Sequence, residues 1–427
     1  MSEEFLHYLW GHRIFPAHGI KTADDEDLDI IHPGEHNTDA GPDFFNARIS
    51  IDGTTWAGNI EIHINSSDWE KHGHNVEGDY ANVILHVVFN HDKEIKRANG
   101  NLIPVFELPV QDSMYATYQR LMSNHLWIPC QNEITAIDPF VIEFWVNKLT
   151  VERLARKANN IKQVLERNKH NWEETFYQFM ARAFGFRVNS DPFERLARSV
   201  PLTVISKHKD NLMHVEAILF GQSGLIEPVI GADEYYQGLL THYHHFKTKF
   251  NLNPLPGYIW KFARLRPSNF PTLRIAQFAN LIHKSSALFS KILEVNSREQ
   301  FMNLFNGEAS NYWDTHYQFN RISAKKSIKR VGDSATENLL INAVAPFLFI
   351  YGKFTGNEDA GEKALSLLDK LSPENNTIIR HWKELGINAG SAYKTQGLLQ
   401  LKNDYCTARK CLHCEIGNAI LKKSNKN

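Results

Sequence analysis

Residues 41–64 read GPDFFNARISIDGTTWAGNIEIHI. Asp52-Gly53 separates two runs that alternate apolar and polar residues, Phe44 to Ile51 and Thr55 to Ile64. That dipeptide between such runs signals an antiparallel hairpin. Residues two apart on a strand share a face, so Glu61 and His63 project together. Where Asp43 points depends on the turn. A two-residue loop at Asp52-Gly53 sets Asp43 opposite Ile62, away from Glu61. A three-residue loop, Asp52-Gly53-Thr54, sets it opposite His63 on the shared face, and a bulge at Gly58 does the same. A catalytic set of Asp43, Glu61 and His63 therefore requires an odd loop or a bulge.

Working outward, a short helix is expected over residues 3–11. The segment SSDWEKHGHNVEGDY (66–80) reads as a loop or short helix. Ala81 to Asn90, ANVILHVVFN, is nearly continuous apolar sequence and fits a strand buried on both faces. Leu102 to Val110 reads as a further strand, pushed towards a sheet edge by Pro104 and Pro109. From about residue 112 the periodicity becomes helical. Asp138-Pro139 makes an N-cap and first turn, and helical stretches are expected over 172–184, 211–220, 271–295, 336–352 and 361–371. The fold class is α+β, with a mixed sheet and helix domain over residues 1–111 and an all-helical domain over 112–427.

With 42% hydrophobic and 22% charged residues among 427, the composition is that of an ordinary globular chain. The N-terminus lacks a basic and apolar leader, and no uninterrupted apolar run is long enough to cross a bilayer. A cytoplasmic location without a membrane partner is the expectation. The net charge of −1 hides an asymmetry. Residues 1–110 hold 7 Lys and Arg against 19 Asp and Glu, a charge of −12, whereas the remainder holds 40 against 29, a charge of +11. The first part also holds 10 of the 21 histidines. An acidic, histidine-rich part suits a metal site and a basic remainder suits nucleic acid; opposite charges could equally dock the two parts together.

Pro42-Asp43 followed by Glu61-Ile62-His63, in the order helix, hairpin, possible helix and buried strand, resembles the PD-(D/E)XK nuclease superfamily over residues 1–110. That superfamily places an Asp, often after a Pro, on one strand and Asp/Glu-x-Lys on the next. His63 stands where the family has Lys; a lysine is a fixed cation, whereas imidazole can be neutral, bind metal or accept a proton. The resemblance implies a metal-dependent phosphodiesterase acting on nucleic acid. Asp43 and Glu61 then hold Mg²⁺ or Mn²⁺, His63 acts as general base or third ligand, and Glu3, Glu4 or Glu35 adds a carboxylate. Over the whole chain, the elements GPDF, GNIEIH, DWxxHGH and LHVV resemble a bacterial family known by a domain-of-unknown-function label, which implies no activity.

Other readings of the same residues stand beside this one. The fold could serve a non-catalytic module that binds nucleic acid or protein, with Glu61 and His63 as a structural polar strand face. A zinc hydrolase of a small substrate could use His72 and His74 with His63 or His86. His86, on an apolar strand, also fits a core residue, and Asp68 either caps a turn or orients a histidine.

Cys406, Cys411 and Cys414 follow C-x4-C-x2-C, and Cys130 is the only other cysteine. Four thiolates complete a Zn²⁺ site or hold a [4Fe–4S] cluster. The set resembles the iron–sulfur staple of helicase-linked and CRISPR-associated nucleases, although there the cysteines bracket the nuclease core, whereas Cys130 follows it. Such a clip ties the chain end to the start of the helical region, and Arg409, Lys410 and His413 can balance its charge. Two basic stretches interleaved with or adjoining aromatics, with Arg264, Arg266 and Arg274 in one and Lys325, Lys326, Lys329 and Arg330 in the other, suit a nucleic-acid backbone or, equally, a solvated helix face.

Overall fold

The computed structural model describes residues 1–16, 18–74, 78–97, 100–285 and 287–424. Two compact units divide it: residues 1–142 with 403–427, and residues 143–402.

The first unit is built on a mixed sheet. Helix α1 (Glu3–Gly11) starts where the Ser2 hydroxyl accepts from the Phe5 amide, with Glu3 and Glu4 in the favourable first turn. Strands β1 (Ile20–Lys21), β2 (Asp27–His32), β3 (Glu35–His36), β4 (Phe44–Ile51), β5 (Thr54–Asn65), β6 (Val83–Asn90) and β7 (Val105–Glu107) pair in the order β1-β2-β4-β5-β6-β7, with β3 also on β4. The β4–β5 hairpin is antiparallel, whereas β5, β6 and β7 run parallel. Between β5 and β6 the chain forms the one-turn helix α2 (Asp68–Lys71), within the segment read as a loop or short helix; residues 75–77 of that segment lie outside the described residues. The edge strand β7 is confined between Pro104 and Pro109, which lack the amide that a longer ladder needs.

The turn itself has two residues, because Ile51 pairs with Thr54. The expected phase correction is present, but it sits on β4. Ala47 pairs with Gly58 and Phe44 with Ile60, so Phe45 and Asn46 together oppose Asn59. Asn46 takes a left-handed φ of 57°, a conformation that Asn tolerates. The bulge expected at Gly58 is thus moved across the hairpin. Gly58 is required for another reason: a Cβ there would come within 2.5 Å of the Ile84 side chain and 2.6 Å of the Asn82 carbonyl.

The expected domain boundary at 111/112 is also displaced. Helix α3 (Asp112–Ser123) and the turns through Ile137 stay with the sheet. Residues 403–424 return to the same unit, where the C-terminal helix Glu415–Ser424 packs on α3. The Arg409 guanidinium donates to the carbonyls of Leu121, Met122 and Asn124, filling acceptors that the end of α3 leaves open.

The second unit is helical except for a small hairpin, His316–Gln318 with Arg321–Ile322. Helix Trp172–Phe184 spans the expected residues, and the stretch expected over 271–295 divides into Pro271–Lys284 and Leu288–Glu294. The first of these is buried from Pro271 to Ile282, at the centre of the core. One helical run, Asp333–Thr355, is long and apolar enough by length and composition to cross a membrane, and 61% of its apolar window is buried.

Glu216, on helix Leu212–Gln222, is buried in this core, and burial pushes its carboxyl up to about 7 from an ordinary value of 4.5. The folded state thus keeps a proton that the unfolded chain releases, so stability falls as pH rises from about 4.5 to about 7 and then levels. Glu216→Gln should remove that fall and stabilise the protein at pH 8 by on the order of 2–3 kcal/mol relative to its effect at pH 4. Thermal unfolding of both proteins at the two pH values reads it; an equal difference at both excludes Glu216 as the source.

Candidate metal centre

Strand β5 is buried on both faces over Ile60 to His63. Ile60 and Ile62 occupy one face, and Glu61 and His63, at 4% and 1% exposure, occupy the other. Parallel pairing sets His86 of β6 beside Glu61. Helix α2 then brings the chain back. After it, Gly73 adopts a left-handed φ of 78°, so His72 and His74 meet through a turn and not along an extended segment. The amides of His72, Gly73 and His74 close this turn on the carbonyls of Asp68, Glu70 and Trp69.

Three imidazole donors gather here, with a Glu61 oxygen beside two of them. His63 Nε2 lies 3.0 Å from His72 Nδ1 and 3.6 Å from Glu61 Oε1. His74 Nε2 lies 3.1 Å from the same Glu61 oxygen. The three imidazole donors all fall within 4.8 Å of one another. A tetrahedral ion with ligands at about 2.1 Å has its donors about 3.4 Å apart, so the set fits a first-row divalent ion. Burial and the neighbouring imidazoles hold the His63 ring down to about 2, hence neutral, as a ligand must be. His63 Nδ1 contacts His86 Nε2 at 2.8 Å. With the proton on Nδ1, this contact leaves the Nε2 lone pair of His63 facing the other donors. Trp69, buried, sets its ring edge-on to His63 and His74 and tilted to His86, and so walls the site on one side, whereas His72 is exposed and opens it to solvent.

Glu61 joins this cage to a second group. Its Oε2 accepts from the Asp43 amide at 3.2 Å. Asp43 Oδ2 accepts from the Ile62 amide at 2.9 Å and lies 3.2 Å from His7 Nε2. The one-residue shift at Asn46 is what brings Asp43 opposite Glu61. Burial first, and then the charge of Asp43, hold the Glu61 carboxyl well above the usual carboxylate range. Among the described residues its only ion-pair partners are imidazoles, so its ionised form is costly unless a cation is bound.

The expected roles shift accordingly. Both His63 nitrogens contact other imidazoles, Nδ1 that of His86 and Nε2 that of His72. His72 and His74 stand in the cage, and His86 orients His63. Asp68 caps its turn: it accepts from the Asn65 amide and side chain and from Lys71, whose hydrogen bond pulls it below the usual range. Of the helix-borne acids, Glu3 lies close enough to His72, Asp43 and His7 for their charges to act on it. Glu4 instead faces His413 at 3.5 Å, and Glu35 is exposed on β3. His7 was not foreseen; it stands one turn after Glu3 on the same face of α1, a spacing that could have flagged it.

All four cysteines belong to the first unit. Cys130, Cys411 and Cys414 are buried and Cys406 is partly so. Burial pushes the Cys130 thiol up, and Cys414 and Cys411 add to the shift, which places the three within electrostatic reach. In the second unit the basic residues divide. Arg264, Arg266, Lys325, Lys326 and Arg330 are exposed, the last paired with Glu308. Arg274 and Lys329, both at 6% exposure, are internal. Arg274 donates to Gln277 and Asn269, and Lys329 donates to Ser327 and the Asp314 carbonyl. These two are spent on the core and cannot meet a phosphate.

Fold and site together define an α+β protein with a glutamate–histidine cage on the sheet of its N-terminal unit. The chain belongs to the family described as Protein of unknown function (DUF2851), whose family model matches residues 3–377. The match covers the cage, Asp43 and Cys130 and stops short of Cys406. No curated protein and no solved structure matches the chain.

Cobalt(II) added to the protein should give the visible absorption of a tetrahedral nitrogen–oxygen site. His86→Ala should weaken its binding by about 10- to 100-fold and His72→Ala/His74→Ala by more. Retention of the band in the double variant would place the metal elsewhere.

Proposed function

We propose that this protein is a divalent-metal-dependent phosphodiesterase acting on nucleic acid. The observation that carries the proposal is the gathering of His63, His72 and His74 within 4.8 Å of one another, with Glu61 beside His63 and His74 and Asp43 adjoining through Glu61. A divalent ion held by these imidazoles and Glu61 lowers the pKa of a water and offsets charge that builds on a phosphate. The imidazole-rich donor set favours Zn²⁺ or Mn²⁺ over Mg²⁺. Asp43, fixed by the Ile62 amide, lies 3.2 Å from His7 Nε2, and the pair sets an acid and an imidazole side by side for proton exchange with substrate or water. The order α1, β4–β5 hairpin, α2 and parallel β6, with Asp43 and Glu61 on the hairpin and Glu3 on the helix, supports a PD-(D/E)XK-like core and hence a nucleic-acid substrate. The exposed Arg264, Arg266, Lys325 and Lys326 fit a phosphate backbone.

The three imidazoles also favour a second reading, a zinc hydrolase of a small substrate. Hydrolysis assays with Zn²⁺ and Mn²⁺ on single- and double-stranded DNA and RNA, and on bis(4-nitrophenyl) phosphate, separate the two. The expected outcome is cleavage of nucleic acid that falls by at least about 1,000-fold in Asp43→Ala/Glu61→Ala. Cleavage of the small ester alone favours the second reading, and equal activity in the variant removes this site from either.

A second ion, Zn²⁺ or an iron–sulfur cluster, is proposed on Cys130, Cys406, Cys411 and Cys414 as a clip for the returning C-terminus. Cys130, Cys411 and Cys414 are buried, and burial opposes ionisation of Cys130 and Cys411, which are costly as bare thiolates and fit a metal. Protein purified without oxygen should carry Zn or Fe that survives His72→Ala/His74→Ala and is lost in Cys411→Ser/Cys414→Ser. Neither metal above trace in the wild-type protein sinks the clip.

A further inference from the structure

The first unit encloses a cavity of about 260 Å³ on the far side of His7 from the cage. Helix α1 supplies Glu4, His7 and Tyr8 to its wall, β3 and β4 supply His36 and Phe44, and the segment between Cys411 and Cys414 supplies Leu412 and His413. His7 belongs to both places: it lines the cavity, and its Nε2 lies 3.2 Å from the Asp43 carboxylate. Phe44 follows Asp43 in sequence. An occupant of the cavity is therefore one side chain away from the groups assigned above to the reaction.

The wall chemistry narrows what that occupant can be. None of the ten lining residues is Lys or Arg, and one is the carboxylate Glu4. An anion would thus meet no fixed cation. Partial burial holds the rings of His12 and, though its side chain is still largely exposed, His36 below the usual imidazole range, which leaves them neutral donors and acceptors. Aromatic faces are abundant: the His36 ring lies 5.0 Å from Phe44, and His7 meets Phe44 edge-on. The Tyr8 hydroxyl is buried without a hydrogen-bond partner among the described residues, the kind of unmet group that a ligand or water completes. The volume is below the range for drug-sized ligands, about 300–1,000 Å³, and suits a single ring system. Neutral edges, aromatic faces and this size together match a planar heterocycle with donors and acceptors on its rim.

We propose that this cavity is a subsite for one nucleobase of the substrate, flanking the phosphate held at the Glu61–histidine cage. The proposal rests on the nucleic-acid reading above. It also gives the C-terminal clip a function, because Leu412 and His413 reach the cavity only as part of that clip.

The test is binding of adenosine, guanosine, cytidine and uridine to the full-length protein, read by ligand-observed NMR and calorimetry without turnover. His36 and His413 are exposed, so His36→Ala and His413→Ala should leave folding intact, which thermal unfolding checks. At least one nucleoside should bind with a Kd below about 1 mM, and the double variant should weaken it by about 10-fold or more. Leu412→Trp, which fills the cavity, should abolish it. Absence of binding by all four nucleosides, binding unchanged in the variants, or inorganic phosphate binding there in their place would overturn the subsite. Failure of the hydrolase reading shows separately, as absent turnover of every phosphodiester with nucleoside binding intact.

Discussion

The chemistry of the N-terminal unit hangs on a phase shift of one residue in the β4–β5 hairpin. A two-residue turn alone directs Asp43 away from Glu61. The extra residue at Asn46 returns it, and the Asp43 carboxylate and amide then engage the Ile62 amide and the Glu61 carboxylate. Without that shift the cage formed by Glu61 and three histidines would stand apart from Asp43 and His7. Bulges cost ladder pairing and persist where they aim a side chain. Here the pairing lost opposite Asn59 buys the link between the metal donors and the acid–imidazole pair.

The cage itself illustrates how a buried carboxylate can be kept. Glu61 is buried beside the rings of His63 and His74 and a second acid, Asp43, and burial first, then that acid, disfavour its charge. Ordinary structural carboxylates in such a place acquire an arginine or lysine. This one has two imidazole nitrogens, at 3.1 and 3.6 Å, in their place. The His63–His86 contact adds a second imidazole behind the first and sets the orientation of the His63 ring.

Much of this was legible in the residues. Asp52-Gly53 placed the hairpin, the period-two rule put Glu61 and His63 on one face, and the requirement for a phase correction followed from counting. Asn46 carried a readable sign of where it lies, because the buried positions Phe44 and Ala47 are three apart in a run that otherwise alternates. The promotion of His72 and His74 was half legible: their pairing was, but their meeting with Glu61 depends on the left-handed Gly73 and on where α2 returns the chain. His7 was not, because its bond to Asp43 joins a helix to a hairpin across the fold. Arg274 and Lys329 were misplaced because basic residues among aromatics read alike whether they face solvent or fold inward onto Gln277, Phe186 and Tyr317. The return of residues 403–424 to the first unit left no periodic signature at all; Arg409 capping α3 is a tertiary contact.

That return has a consequence for synthesis. Domains usually fold in the order in which they leave the ribosome, N-terminal first. Residues 143–402 form a continuous unit and can complete as they emerge, whereas the sheet that precedes them waits for residues 403–424, which are made later. Until residues 403–424 are released, α3 lacks its Arg409 cap and the cavity beside His7 lacks its Leu412 and His413 wall. The sheet is made before residues 143–402 and completed after them, so a chain stalled before residue 403 carries the cage residues without the Leu412 and His413 wall.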